Sequence, residues 1–316
     1  LILTVTRQCN LRCSYCPTAK DGWPSLTVAQ TDRALELFAQ SGGGDLKLFG
    51  GEPLLVPELV AHVVERASAM DAVRRIYLST NGLNLSPAWL QRVRETPKLI
   101  LTLSLDGRPA DNRRFRRALP GVPDAYERIT QLLPLLRKTP RLVVTMTIAP
   151  AAAKHMAENF DHLLELGFHR FNFLPGYYIP WRPEQLVALR AGFEHISARV
   201  QERWARGQST YVRNLFTWAP TPFFNTGLIV DSDGTIQPSN VGLSGALDDL
   251  RAQTRVGTLD DPPTPEALKR AADQVNGLLA GALSQDVLDA TAAADAELTR
   301  FVRGLIPAWR KKRQAK

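Results

Sequence analysis

The stretch LILTVTRQCNLRCSYCPT, residues 1–18, gathers every cysteine of a 316-residue chain into one short window. Cys9, Cys13 and Cys16 form a C-x3-C-x2-C array directly behind an apolar, β-branched run that reads as a buried strand. Thiolates bind soft metals, and three on one loop can wrap one corner of a metal–sulfur cube. A structural zinc site takes four protein ligands and a catalytic one three plus water. No fourth Cys stands anywhere in the chain, and the nearest His is His62. A [4Fe–4S] cluster usually takes four thiolates, so three would leave one iron open to a non-protein ligand. On the residues alone, zinc and metal-free thiols stay open as alternatives.

Hydrophobic residues make up 44% of the chain, enough for one large α/β domain plus a small appendage. No apolar run approaches the ~20 residues that span a bilayer, so no membrane association is expected. Thiols without partners fit a reducing compartment, and the cytoplasm is the expected location. The net charge of +8 raises nucleic acid as a partner. Against that, the basic run Arg310, Lys311, Lys312, Arg313 and Lys316 reads as a solvated helix end, and no nucleic-acid motif accompanies it. An acidic substrate or peptide would use the same charge equally well.

Downstream of the cysteines, apolar runs alternate with amphipathic stretches, the pattern of repeated βα units around a parallel sheet. Six strands are predicted: Leu1 to Thr6, Asp45 to Phe49, Arg74 to Ser79, Lys98 to Leu105, Arg141 to Ile148 and His169 to Leu174. Helix starts are predicted at Thr27 with Gln30, a capping-box pair, at Pro57, at Ser86-Pro87 and at Asp124. Six such units would make a partial (β/α)6, TIM-like barrel, in which ligands gather at the carboxyl ends of the strands.

Short motifs fall at that edge. After the second strand comes Phe49-Gly50-Gly51-Glu52-Pro53, where two glycines let backbone approach a ligand and Glu52 offers a carboxylate to a cationic amine. After the third stands Ser79-Thr80-Asn81-Gly82, and the fourth ends in Ser104-Leu105-Asp106-Gly107. On the fifth strand Thr145 and Thr147 share one face by the two-residue period. The sixth runs into Gly176-Tyr177-Tyr178, where Tyr177 and Tyr178 are candidate substrate contacts.

The cysteine array with Tyr15 before its last member, followed in order by GGE, STNG and SLDG, resembles the radical S-adenosylmethionine (SAM) superfamily. The resemblance covers about residues 1–178. It implies that Cys9, Cys13 and Cys16 hold a [4Fe–4S] cluster whose open iron is chelated by SAM, with Tyr15 near the adenine. It further implies that Gly50, Gly51 and Glu52 meet the amino group of SAM and that Ser79 and Asn81 face its pocket. Ser104 and Asp106 would lie near the ribose and methionyl parts. Family members with this SLDG segment often continue with a His-Asp pair and then an Arg that grips the SAM carboxylate. This chain has Asn112 and Arg113 in place of the pair, and Arg116 at the Arg position. Guanidinium binds carboxylate bidentately, which makes Arg116 the expected clamp, with Arg113 and Arg114 as alternates.

Beyond a boundary near residue 180, residues 181–316 form an extension. Pro183 to Gly207 reads as one long amphipathic helix. Gly227 to Asn240 reads as a hairpin turning at Asp233-Gly234. With Val256-Gly257-Thr258-Leu259 it resembles the SPASM or twitch extension of peptide-modifying and other radical SAM enzymes, over residues 227–259. In that extension Pro-Cys supplies an auxiliary-cluster ligand; here Ser239 follows Pro238, and no Cys lies beyond Cys16. An auxiliary [4Fe–4S] cluster is excluded on ligand count. Ala-rich helical stretches fill the rest.

The resemblance implies reductive cleavage of SAM to a 5'-deoxyadenosyl radical that abstracts hydrogen from a substrate, with electrons from an external donor such as a flavodoxin or ferredoxin. The extension, taken with the basic surface, favours a ribosomally made precursor peptide as substrate. A small natural-product or sugar-like intermediate is the alternative, and a non-enzymatic iron–sulfur or zinc scaffold a second.

Overall fold

The computed structural model describes residues 1–217, 226–244 and 248–314. Its strands are β1 (Ile2–Thr6), β2 (Leu11–Cys13), β3 (Gly44–Gly50), β4 (Val73–Thr80), β5 (Leu99–Ser104), β6 (Arg116–Ala118), β7 (Val143–Ile148) and β8 (Arg170–Pro175). The short β9 (Tyr211–Val212), β10 (Thr226–Val230), β11 (Thr235–Ser239) and β12 (Gly257–Thr258) follow. Thus β1, β3, β4, β5, β7 and β8 are the six runs read from the sequence, each within two residues of its expected ends.

Helices α1 (Val28–Gln40), α2 (Pro57–Ala69), α3 (Pro87–Glu95), α4 (Pro109–Phe115), α5 (Ala125–Gln131), α6 (Leu133–Leu136) and α7 (Met156–Glu165) separate them. The start signals act as read. Thr27 and Gln30 form both halves of a capping box on α1, and the Asp124 carboxylate accepts from Glu127 N on α5. The extension adds α8 (Pro183–Ala205), α9 (Asp248–Thr254), α10 (Pro265–Ala282) and α11 (Gln285–Gln314), the last running through Pro307. Lys316 of the basic run lies outside the described residues.

Ten strands form one sheet in the order β12-β11-β10-β1-β3-β4-β5-β7-β8-β9. From β10 to β9 every neighbouring pair is parallel, which makes eight parallel strands rather than the six expected. The two extra strands escaped the sequence pattern for different reasons. β9 has only two residues, too few to show a period, and β10 carries the apolar pattern of a hairpin arm while also pairing with β1.

Side chains alternate across the sheet. Leu3, Leu46, Leu78, Leu101, Val144 and Phe171 point outward into the main hydrophobic cluster under the helices. The opposite positions, among them Thr4, Tyr77, Thr102, Thr145 and Arg170, line the inner face. Arg213, just past β9, holds its guanidinium carbon 4.3 Å from the Tyr77 ring centroid on β4. Three strands separate β4 from β9 in the sheet. The contact therefore spans the inside of a sheet that has curled into a barrel.

The sheet and the main core continue across residue 180. Phe301 of α11 stacks on Phe193 of α8 at 4.8 Å and meets Phe173 of β8 edge-on at 5.6 Å. α10 packs beside β11, where Val275 and Leu279 form a small second core with Val241 and Leu250. The Ala-rich helices are thus internal packing elements.

Candidate functional site

The cysteine loop leaves the carboxyl end of β1 and is gripped on both sides. β2 pairs antiparallel with β6, so that Cys13 stands directly across from Arg116. Beyond Cys16, Ala19 N donates to Leu243 O and Thr18 bridges Ser244, which ties the loop to the extension. The anchor at its start is Arg7, fully buried, whose Nε donates to Asp231 Oδ1 at 2.9 Å and whose Nη2 donates to Asp231 Oδ2. Arg7 also donates to Leu243 O and Gly242 O and lies 3.8 Å from the Trp23 ring centroid.

N–H groups point at two of the three sulfurs. Cys9 Sγ receives Leu11 N at 3.4 Å and Asn81 Nδ2 at 4.0 Å, and Cys16 Sγ receives Lys20 Nζ at 3.2 Å. Burial raises the Cys9 thiol above its ordinary value and pushes Cys13 up to about 11, the latter opposed by Arg116. These thiols keep their protons until a metal displaces them.

The GGE turn proves to be shaped by the protein's own backbone. A Cβ at Gly51 would lie 2.0 Å from Gln8 O and 2.3 Å from Arg7 O, so glycine is needed for the approach of the cysteine loop. Gly51 N and Glu52 N donate back to Thr6 O and Gln8 O. Glu52 is 1% exposed and turned inward. Its Oε1 accepts from Leu54 N at 3.0 Å and Thr80 Oγ1 at 2.8 Å, and its Oε2 from Asn81 N at 2.7 Å. Burial raises its carboxyl to about 7 against the pull of those hydrogen bonds. The sequence predicts a carboxylate offered to an amine; in the structure it braces the turn that carries Asn81.

Asp106 is a second junction. Its Oδ2 accepts the Tyr15 hydroxyl at 2.6 Å, and its Oδ1 accepts Arg116 Nη2 at 2.8 Å and Thr147 N at 3.0 Å. Asn112, where the resemblance expects the His of a His-Asp pair, takes Asp106 N on its side-chain oxygen. Gly107 must be glycine: its φ is +139° and a Cβ would meet Asn159 at 2.3 Å. Burial is the largest single influence and works against the Arg116 charge, but Asp106, Tyr15 and Cys13 together outweigh it and the guanidinium is held protonated. Arg116 Nε is buried with no hydrogen-bond partner. Arg113, named as an alternate clamp, is exposed and paired with Asp124 and Glu127.

Other predicted residues divide. Ser79 and Ser104 sit half-buried on the inner face near the carboxyl edge, and Thr145 and Thr147 also face inward, opposite Val144 and Met146. The Tyr177 hydroxyl donates to Asp295 Oδ1 at 2.9 Å and Tyr178 N to Thr291 Oγ1 at 2.8 Å, so both tyrosines are engaged by α11. Beside Tyr15, a cavity of about 350 Å³ opens between the cysteine loop and the β7 exit, lined by Phe115, Ala149 and Ile179 among others. Ser239, where the resemblance expects an auxiliary ligand, is fully buried and accepts from Val241 N.

The residues fit a cluster and a zwitterionic ligand. Among the described residues no three of His, Cys, Asp and Glu converge closely enough for a single metal ion. A four-iron cube takes its thiolates at separate corners, and three cysteines on one loop supply three of them. The donors aimed at sulfur favour thiolates over thiols. The orphaned Nε of Arg116, one strand across from Cys13, is a buried donor that needs an acceptor, which a carboxylate oxygen would supply.

Comparison with known proteins gives the same direction. A family model described as "Radical SAM superfamily" matches residues 3–164. The AdoMet-dependent heme synthase of Methanosarcina barkeri is 31% identical over 179 residues, 54% of this chain and 49% of that protein. The GTP 3',8-cyclase of Actinobacillus succinogenes is 37% identical over 101 residues, 29% of each chain. The chain thus spans about half the length, or less, of these curated relatives. Native anSMEcpe with bound AdoMet and Cp18Cys peptide superposes with a TM-score of 0.74 at 16% identity, covering 100% of this chain and 99% of that one. Streptococcus suis SuiB bound to precursor peptide SuiA gives 0.58 at 15% identity, over 75% and 58%. At such identities the likeness is one of fold.

Proposed function

The chain belongs to the radical SAM superfamily, whose enzymes use a [4Fe–4S] cluster and SAM, and on that premise we propose that it is a peptide-modifying radical enzyme. When bound, those groups supply one-electron cleavage of the SAM carbon–sulfur bond and abstraction of a hydrogen atom from the substrate. The chain's part is to hold and orient them. Cys9, Cys13 and Cys16 carry the cluster, and the sulfur-directed donors Leu11 N, Asn81 and Lys20 stabilise the thiolates. Arg116 offers its free Nε to the SAM carboxylate, a charge-assisted bond in a dry site. The turn Gly50–Gly51–Glu52, braced from within, receives the amino group. Ser79, Ser104 and the Asp106 junction border the ribose, and the cavity beside Tyr15 takes the adenine. An external one-electron donor of the flavodoxin or ferredoxin kind supplies the reducing electron.

One observation carries the reading: a buried guanidinium N–H without a partner stands across a two-stranded ribbon from the middle thiol. Peptide as substrate is supported by the full-length likeness to a structure with bound peptide. It is supported also by the inner wall, where Arg170 and Arg213 stack on Tyr211 and Tyr77 at 4.1 and 4.3 Å and Lys47 lies close by. Such a wall suits an acidic side chain. A second reading, a small anionic molecule, is favoured by relatives named for heme and GTP.

Anaerobic reconstitution with iron and sulfide, then reduction with SAM and an assay for 5'-deoxyadenosine, tests the chemistry. Formation of 5'-deoxyadenosine is the expected result. Failure to hold about four irons per chain would overturn the reading.

A further inference from the structure

Lys20 follows the third thiol by four positions and is only 9% exposed. Its Nζ donates to Cys16 Sγ at 3.2 Å and to Thr18 O at 3.1 Å. The backbone leaves it little choice, because Thr18 bridges Ser244 and Ala19 N is bonded to Leu243 O. Among the described residues no carboxylate lies within ion-pair distance of this ammonium, whereas the buried Arg7 and Arg116 each have one. A buried ammonium is costly unless a partner cancels its charge, and a carbonyl does not. A thiolate on a metal–sulfur cluster would cancel it.

Resting on the radical SAM reading above, we propose that Lys20 is a positioning charge that tunes the cluster: its ammonium, donating to the Cys16 sulfur, stabilises the reduced state and raises the reduction potential. Accepting one electron from the external donor makes the cluster one unit more negative. The proton inventory of the chain does not change, and the fixed positive charge beside Cys16 lowers the energy of the reduced form relative to the oxidised one. Hydrogen bonds and charge near cluster sulfurs are among the terms that set such potentials. The same ammonium acts on Cys9, so its field covers two of the three ligands.

The test is a redox titration of the reconstituted protein without SAM, followed by the electron paramagnetic resonance of the reduced cluster. Wild type is compared with Lys20→Met and Lys20→Arg, each checked for iron content. Lys20→Met is expected to disfavour reduction about tenfold, a potential about 59 mV lower for a one-electron couple. Lys20→Arg, which keeps the charge and an N–H, is expected to stay within about threefold of wild type, or about 28 mV. Equal potentials in wild type and Lys20→Met, both with full iron, would overturn the proposal and leave the parent reading intact. If Lys20→Met does not hold iron, Lys20→Gln gives the same comparison at nearly the same length, with an N–H but no charge. Loss of iron in that variant too would make Lys20 a structural requirement and overturn the tuning role. Wild type without iron would overturn both.

Discussion

The Tyr15 hydroxyl donates to Asp106 Oδ2 at 2.6 Å, joining the aromatic residue of the cysteine loop to the acid at the exit of β5. With Arg116 and Thr147 N on the other oxygen, Asp106 is a fixed point between three segments of the site. The arrangement leaves Arg116 oriented, charged and one donor short.

Replacing Arg116 by Met would leave Asp106 buried without a counter-charge, at a cost of about 3–5 kcal/mol. Denaturant unfolding of the cluster-free protein should show that loss, and Asp106→Asn in the same chain should recover most of it. SAM affinity, measured by equilibrium dialysis on reconstituted protein, should fall in both variants with iron content retained. Unchanged affinity would move the carboxylate clamp to another residue.

Cys13→Ala should remove the brown chromophore and SAM cleavage together, because Cys13 is the central ligand and the strand partner of Arg116. A cluster of wild-type iron content in that variant would refute the ligand assignment.

Glu52 makes stability depend on pH. Its carboxyl is raised from 4.5 to about 7, so the folded chain holds that proton more tightly than the unfolded chain. The contribution is fully present below about 4.5 and lost as pH rises through about 7, at most about 3 kcal/mol. Cluster-free protein should therefore lose stability from pH 5 to 7, and Glu52→Gln should flatten the slope. The amide also presents N–H to one of the backbone donors Leu54 N or Asn81 N, which costs about 1–3 kcal/mol. An unchanged slope would assign the titration elsewhere.

Ser239→Cys should add no second cluster. The position is buried, and no other cysteine lies beyond Cys16 to share the load. Iron per chain should stay at about four; about eight would mean that other residue types complete an auxiliary site.

The six βα strands were legible because apolar runs such as Leu99–Ser104 and Val143–Ile148 announce strands buried on at least one face. The cysteine array and the order of the motifs were legible as residue types at fixed spacing. The direction in which each side chain points was not. Glu52 reads as a carboxylate offered to an amine, and the donors Thr80, Leu54 and Asn81 already on it are visible only in the fold. The partnership of Cys13 with Arg116 depends on β6, whose three residues are too few to show a period. Lys20 carried no motif and Asn112 stood out only as a departure from one, since their significance lies in Cys16 Sγ and Asp106 N, contacts made by the folded chain.

The parallel pairing of β1 with β10 sets Ile2 beside Ile229. During synthesis, the first strand therefore waits for a partner made more than two hundred residues later, as does Arg7 for Asp231. Contacts of such sequence separation form slowly and late. The cysteine loop between them reaches its final shape only once β10 and Asp231 are in place, so the cluster site is completed by the extension and not by the βα units alone.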